Sequence, residues 1–423
     1  MLRVIEAFSG IGSQAQALKN INAEFEVQGI IEWEIGAMFA YDILHNGPQD
    51  WEDYRHHTKE SLVNILSKYN LSNDGKEPLS NRSLSAMSVG QLKAILCAIE
   101  RNNNFVDITK VSGNALPETD LLTYSFPCQD LSVSGYWHKN SGGIDRNANN
   151  RSTLLWQIER ILIEMSQSGK QLPRFLLMEN VSNILSDKHI KNFEEWKEFL
   201  KSLGYINEVY TLDARNFGVP QSRVRTYMLS ILCDDEEIYK DINEYLFFNN
   251  LEHVIKEINP LKDYIKLDYS IDKYRKEAIE STPDLTESRV KILNSNPILA
   301  KGRSIQNRYA RTVTTKQDRH PNSGIILYDD EVLKEKNKAY RNLTPRECML
   351  LMGFKEEQYD LLVENNIIIS STVERRMLAP SKIIKLAGNS IVVEVLEAIF
   401  TNMLEINDLI EKNVKLKFNI EHP

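Results

Sequence analysis

Leu2-Arg-Val-Ile-Glu-Ala-Phe8-Ser-Gly10-Ile-Gly12-Ser-Gln-Ala15 begins with a short apolar run, passes through a glycine turn and enters a helical pattern. The run has the length and composition of a buried strand and lacks the long apolar stretch of a signal peptide. A G-x-G-x-x-A turn after such a strand lets the backbone bend tightly and approach a ligand. A second apolar run, Phe25–Ile31, ends at Glu32, twenty positions past Gly12, where a carboxylate can accept from ribose hydroxyls. The pattern fits any ligand containing adenosine.

Further strand-like runs are Asp120–Phe126, Phe175–Glu179, Ile206–Leu212 and Thr226–Leu232. Between them Ser13–Asn20, Ile35–His45, Leu154–Met165 and Phe193–Leu203 have helical spacing. Such alternation predicts an α/β fold with a mainly parallel sheet and ligands outside the carboxyl ends of its strands. Residues 46–104 are polar and irregular, then helical over Val89–Glu100, and read as an insertion on this core. From 234 to about 310 the rhythm is lost, which predicts a separate smaller unit. Thr344-Pro-Arg-Glu347 has the form of a capping box with Pro at the first helical position, and a last helix is expected over Val392–Met403.

The 423 residues, 42% hydrophobic and 26% charged, suffice for one large domain and a smaller one. No run approaches the ~18–20 apolar residues that span a membrane, so a cytoplasmic protein is expected. Four cysteines without C-x-x-C spacing argue against a structural zinc site or a disulfide framework, and no metal is expected. The net charge of -8 runs against nucleic-acid binding in bulk, although a local cleft of Arg and Lys decides the field a ligand meets.

Two details favour S-adenosyl-L-methionine, which has no pyrophosphate to cradle, over a dinucleotide. Phe8 and Trp33 offer aromatic faces for adenine, and Asp107 offers an acceptor for its amino group. At the other end of the site, strand Asp120–Phe126 empties into Pro127-Cys128-Gln129, which puts a thiol where such sheets present their ligands. The next strand ends in Glu179-Asn-Val181, a carboxyl costly to bury without a purpose. Arg223 and Arg225 alternate ahead of another apolar strand and point the same way, fit to hold phosphate or to lower a thiol pKa.

In this order the blocks Phe8-Ser-Gly-Ile-Gly12, Glu32-Trp33, Asp107-Ile-Thr109, Phe126-Pro-Cys-Gln129, Glu179-Asn-Val181, Gln221-Ser-Arg-Val-Arg225, Arg341-Asn-Leu-Thr-Pro-Arg-Glu-Cys348 and Gly388-Asn-Ser390 resemble the DNA cytosine-5 methyltransferases. The resemblance spans nearly the whole chain outside 46–104 and roughly 235–310. It departs at Glu6, where the family usually has Asp, and at Ser13, which replaces a frequent Gly.

The resemblance implies a Rossmann-like methyltransferase sheet over 1–233, a target-recognition domain over 234–330 and a segment 331–423 that returns to the catalytic domain. It implies Cys128 as nucleophile and Glu179 as the acid on cytosine, with Arg223 and Arg225 supporting the flipped nucleotide. Phe8, Gly10, Ile11, Gly12, Glu32, Trp33, Asp107, Ile108, Pro127, Leu154, Asn389 and Ser390 are the implied cofactor residues. Gln129 and Ser134 would face the gap left by the flipped base, and Gln221 would contact DNA. The resemblance gives no help in the segment that reads the target; there Lys301-Gly-Arg303-Ser-Ile-Gln306-Asn307-Arg308 and Lys316-Gln-Asp-Arg319-His320 hold groups suited to base edges, so Arg303 and Arg308 are expected at the DNA. Double-stranded DNA is the implied partner, with a cognate restriction endonuclease acting independently beside a monomeric enzyme.

Three rivals remain at this point. A tRNA cytosine methyltransferase would use the same catalytic blocks. A nicotinamide oxidoreductase would use the glycine turn but leaves Pro-Cys-Gln and the arginines unexplained. A silent DNA-binding module would have no use for the reactive set.

Overall fold

A computed structural model of the chain describes residues 1–128, 131, 143–146, 150–328, 339–370 and 374–421, with 414–421 as backbone alone. Its main sheet has six strands: β1 (Leu2–Ala7), β2 (Phe25–Ile31), β3 (Leu121–Tyr124), β4 (Phe175–Val181), β5 (Tyr205–Asp213) and β6 (Val224–Leu232). Their spatial order is β2-β1-β3-β4-β6-β5. The first four are mutually parallel, and β6 runs antiparallel to both of its neighbours. The expected α/β sheet is therefore present. Reversal of β6 brings its first residues to the edge where β1–β4 end.

Side chains alternate across the sheet. In β4, Phe175 and Leu177 enter one buried cluster, while Leu176 and Met178 enter the other. The first face is covered by helices Ser13–Asn20, Ile35–Asn46, Val89–Arg101 and Val393–Glu421, the second by Leu155–Gln167 and Ile190–Ser202. Each large apolar side chain buried this way contributes about 1.5–3 kcal/mol.

Three segments depart from the sequence reading. Residues 46–104 are not surface packing alone: Leu62, Leu66, Leu92, Ile95, Leu96 and Ile99 are buried in one cluster with Phe39 and Ile43. A Ser88/Gln91 capping box starts the helix Val89–Arg101 there. The fully buried Asp42 accepts from Asn46, Gln49 and Asn102, tying the segment's helices together.

The boundary expected at 234 is not a break in packing. Helix Glu236–Phe248 carries Ile238, Ile242 and Leu246 at helical spacing and buries them in the main core. A second sheet forms from β7 (Ile298–Lys301), β8 (Ser304–Ile305), β9 (Ile325–Leu327) and β10 (Tyr340–Arg341), in the order β10-β9-β7-β8, so the small unit extends past 330. Thr344 and Glu347 close the expected capping box, and Glu347 also holds the fully buried Arg341 at 2.7 Å. The last helix is longer than read, Val393–Glu421, and packs on Ser13–Asn20. Among the described residues no helix is long and apolar enough to cross a membrane.

Candidate active site

One cleft of about 340 Å³ lies along the carboxyl edge of the main sheet, lined from the glycine turn to the Cys128 loop. At one end β1 runs into Phe8, and Gly10 and Gly12 take positive φ of 57° and 78°. A Cβ on Gly12 would lie 2.2 Å from His45 Nε2, so both its φ and its surroundings demand glycine. Glu32 Oε2 accepts from the Gly10 amide at 3.0 Å, and Oε1 accepts from the Glu34 amide at 2.8 Å. Burial pushes the Glu32 carboxyl up to about 7 against the pull of those two amides.

Phe8, Gly10, Ile11, Trp33, Asp107, Ile108, Pro127, Leu154, Asn389 and Ser390 line the same cleft, whereas Gly12 lies behind it against His45. The C-terminal residues reach it because Ser390 Oγ meets Ser13 Oγ at 2.5 Å. Asn104 has no signal in the sequence, yet it clamps Glu32 from both sides. Its Oδ1 accepts from the Glu32 amide at 3.1 Å and its Nδ2 donates to the Glu32 carbonyl at 2.9 Å.

At the other end Cys128 is half-buried in the loop after β3. Two side chains outside the thiol fix that loop. The fully buried Ser152 donates Oγ to the Pro127 carbonyl at 2.7 Å. The buried Asn180 donates Nδ2 to the Phe126 carbonyl at 3.1 Å. Register pairs Glu179 with Tyr227 and Val181 with Arg225, which sets Glu179 and Arg225 diagonally on one face of the sheet. Arg225 Nε stands 3.4 Å from Glu179 Oε1, both side chains being mostly buried.

Burial raises the Glu179 carboxyl above the usual range, and Arg225 and Arg223 pull it back. Burial also raises the Cys128 thiol. The charge of Glu179 raises it further, and the two arginines lower it. The arginine pair lowers the thiol as its spacing suggested, but burial and Glu179 outweigh it and the net effect is upward. A protonated Glu179 would remove one of the two raising effects.

Other predicted residues have different roles here. Arg223 lines the cleft with Cys128, Glu179 and Arg225 and is also tied into the structure around it. Its guanidinium donates to the carbonyls of Val313 at 3.0 Å, Gly388 at 3.0 Å and Ser390 at 2.8 Å, tying the start of β6 to the small unit and the C-terminal block. Burial lowers its pKa to about 9. Gln221, expected at the DNA, is fully buried: it donates to the Leu351 carbonyl at 2.7 Å and accepts from the Val313 amide at 2.8 Å. An amide used at both ends inside the protein is not available to a base edge. Arg303 and Arg308 lie outside the cleft on the exposed surface of the small unit, Arg303 3.1 Å from Asp268. Gln129 and Ser134 lie outside the described residues.

An α/β sheet whose carboxyl edge carries one cleft, lined by the glycine turn, the Cys128 loop and Glu179, has the layout of a group-transfer enzyme. The chain belongs to the C-5 cytosine-specific DNA methylase family, whose model matches residues 87–405. It is 32% identical to the orphan methyltransferase M.SssI of Spiroplasma monobiae over 413 residues, covering 94% of this chain and 96% of that one. It is also 32% identical to the type II methyltransferase M2.ScrFI of Lactococcus lactis subsp. cremoris over 406 residues, covering 96% and 99%. The crystal structure of the S. pombe Dnmt2 methyltransferase shares the fold, with a TM-score of 0.58 at 20% identity over 96% of this chain and 99% of that one.

Proposed function

We propose that the enzyme methylates carbon 5 of a cytosine flipped out of duplex DNA, through a covalent adduct on Cys128. The observation that carries this reading is the single cleft shared by Cys128, Glu179, Arg225 and the glycine turn. Aromatic faces at Phe8 and Trp33, acceptors at Glu32 and Asp107, and the Gly10 turn fit S-adenosyl-L-methionine. Bound there, it supplies the methyl group as an activated sulfonium.

Carbon 5 of cytosine is too poor a nucleophile to take that methyl directly. The Cys128 thiolate adds at carbon 6 while Glu179, protonated, donates to nitrogen 3, and the ring becomes an enamine. Carbon 5 then takes the methyl group. Loss of the carbon 5 proton and elimination of the thiolate restore the aromatic ring. Desolvation around Glu179 favours the protonated acid this scheme needs. Extruding the base from the duplex costs a few kcal/mol, offset by phosphate contacts that weaken as salt rises.

The small unit around β7–β10 is assigned to reading the target sequence, with Arg303, Arg308, Lys316, Arg319 and His320 as its exposed polar groups. The enzyme is placed in the cytoplasm, acting on DNA as a monomer.

A duplex carrying 5-fluorocytosine at the target tests the mechanism, because fluorine cannot leave as the proton does. The expected result is a complex that survives denaturing electrophoresis when S-adenosyl-L-methionine is present. Failure to trap any adduct under turnover conditions would overturn covalent addition. Methyl transfer to duplex DNA but not to tRNA separates this reading from the RNA-directed one, and bisulfite sequencing of DNA from expressing cells reads the site.

A further inference from the structure

Residues 70–78 carry none of the blocks discussed above, yet two of them, Asp74 and Gly75, line the cleft. Ser72 is fully buried and bridges Glu34 in parallel and Pro78 in antiparallel fashion. Its amide donates to the Trp33 carbonyl at 2.8 Å, and its carbonyl accepts from the Ile35 amide at 2.9 Å. Its Oγ accepts from the Gly75 amide at 3.0 Å and donates to the Glu77 carbonyl at 2.7 Å, which closes a tight turn. Helix Pro380–Asn389 holds that turn from the far side. Lys382 donates to the Asn73 carbonyl and Lys385 to the Asp74 carbonyl at 2.6 Å. Both lysines also pair with Glu34, at 2.8 and 2.7 Å.

Asp74 and Gly75 consequently line the cleft beside Trp33. Gly75 has φ +71°, and a Cβ there would stand 3.0 Å from Glu34 Oε2. Asn70 Nδ2 donates to Asp107 Oδ2 at 2.7 Å, while Asp107 Oδ1 accepts from the Thr109 amide at 2.9 Å. The carboxylate read as the adenine acceptor is thus held in one orientation by a residue from outside the recognised blocks.

We infer that residues 70–78 are a clasp on the adenosine end of the methyl donor. Asn70 is a positioning residue that orients Asp107, and the Asp74–Gly75 turn forms a pre-built wall beside Trp33. The inference rests on the cleft being the S-adenosyl-L-methionine site. A wall fixed before the ligand arrives spares the ordering cost of binding.

The test uses the full chain without DNA. Binding of S-adenosyl-L-methionine, S-adenosylhomocysteine and adenosine is measured by titration calorimetry for wild type, Asn70→Ala and Asn70→Asp. Asn70 is exposed, so both variants should fold, as thermal unfolding without ligand will show. Loss of a hydrogen bond to a carboxylate should weaken all three ligands about tenfold in Asn70→Ala. Asn70→Asp should be weaker still, because it sets a second carboxylate against Asp107. In turnover, KM for the methyl donor should rise while kcat stays level. Unchanged Kd values in both folded variants would overturn the clasp, as would a loss confined to ligands with the amino-acid tail. If wild type binds none of the three, the cleft assignment fails, and the clasp with it.

Discussion

Replacing Glu6 with Gln removes a carboxyl that faces, like Leu2 and Val4, into the layer holding helices Ser13–Asn20 and Ile35–Asn46. Glu6 is fully buried, and neither oxygen has a hydrogen bond of full geometry. The Ala15 amide, the Tyr41 hydroxyl and the Lys19 charge ease it, but burial outweighs them and pushes the carboxyl up to about 8. The folded protein therefore keeps a proton that the unfolded chain, ordinary at 4.5, has already released. Glu6's contribution to stability is full below about pH 4.5 and is lost as pH rises toward 8, at about 1.4 kcal/mol per pH unit. Between about pH 6 and about pH 7.5 the change is roughly 2 kcal/mol. Gln has no proton to lose, so the stability difference between wild type and Glu6→Gln should move by that amount in the variant's favour. Equilibrium urea unfolding at a series of pH values measures it, and other titrating groups cancel in the difference. A wild-type-minus-variant difference that stays flat from about pH 5 to about pH 8 would refute the reasoning.

Cys128→Ser should keep its affinity for S-adenosyl-L-methionine and lose methyl transfer; turnover near the wild-type rate would remove the nucleophile assignment. Glu179→Gln should fold normally and cut the rate by about 10²-fold or more, the scale of general-acid catalysis. In wild type, kcat/KM should fall on the alkaline side as Glu179 loses its proton, and the Gln variant should lack that limb; profiles of the same shape would point to another acid. Asn180→Ala should destabilise the fold by about 1–3 kcal/mol, since it leaves the Phe126 carbonyl short of a buried partner. With Cys128 only two residues further along, kcat should fall more than KM for DNA changes; stopped-time methylation assays at varied DNA would show the split.

Much of the site was legible because its chemistry is local. The glycine turn, the acid after β2, the thiol after β3 and the carboxyl near the end of β4 each sit at a strand end that hydrophobic runs reveal. Gly12 reads as glycine for its backbone alone, and the contact with His45 only reinforces the requirement. The capping box at Thr344–Glu347 was visible for the same reason, because its bonds join residues three apart.

Readable from the chain alone, then, are the order of strands and turns and the candidate reactive groups, since each depends on neighbours within a few residues. Tertiary structure alone decided that β6 runs backward, so that Arg225 meets Glu179 while Arg223 serves three distant carbonyls. It also decided that Gln221 is sealed inside, that helix Glu236–Phe248 joins the main core, and that Asn70 reaches Asp107. These are matters of which segment lies opposite which, and partners separated by tens to hundreds of residues leave no periodicity in either one.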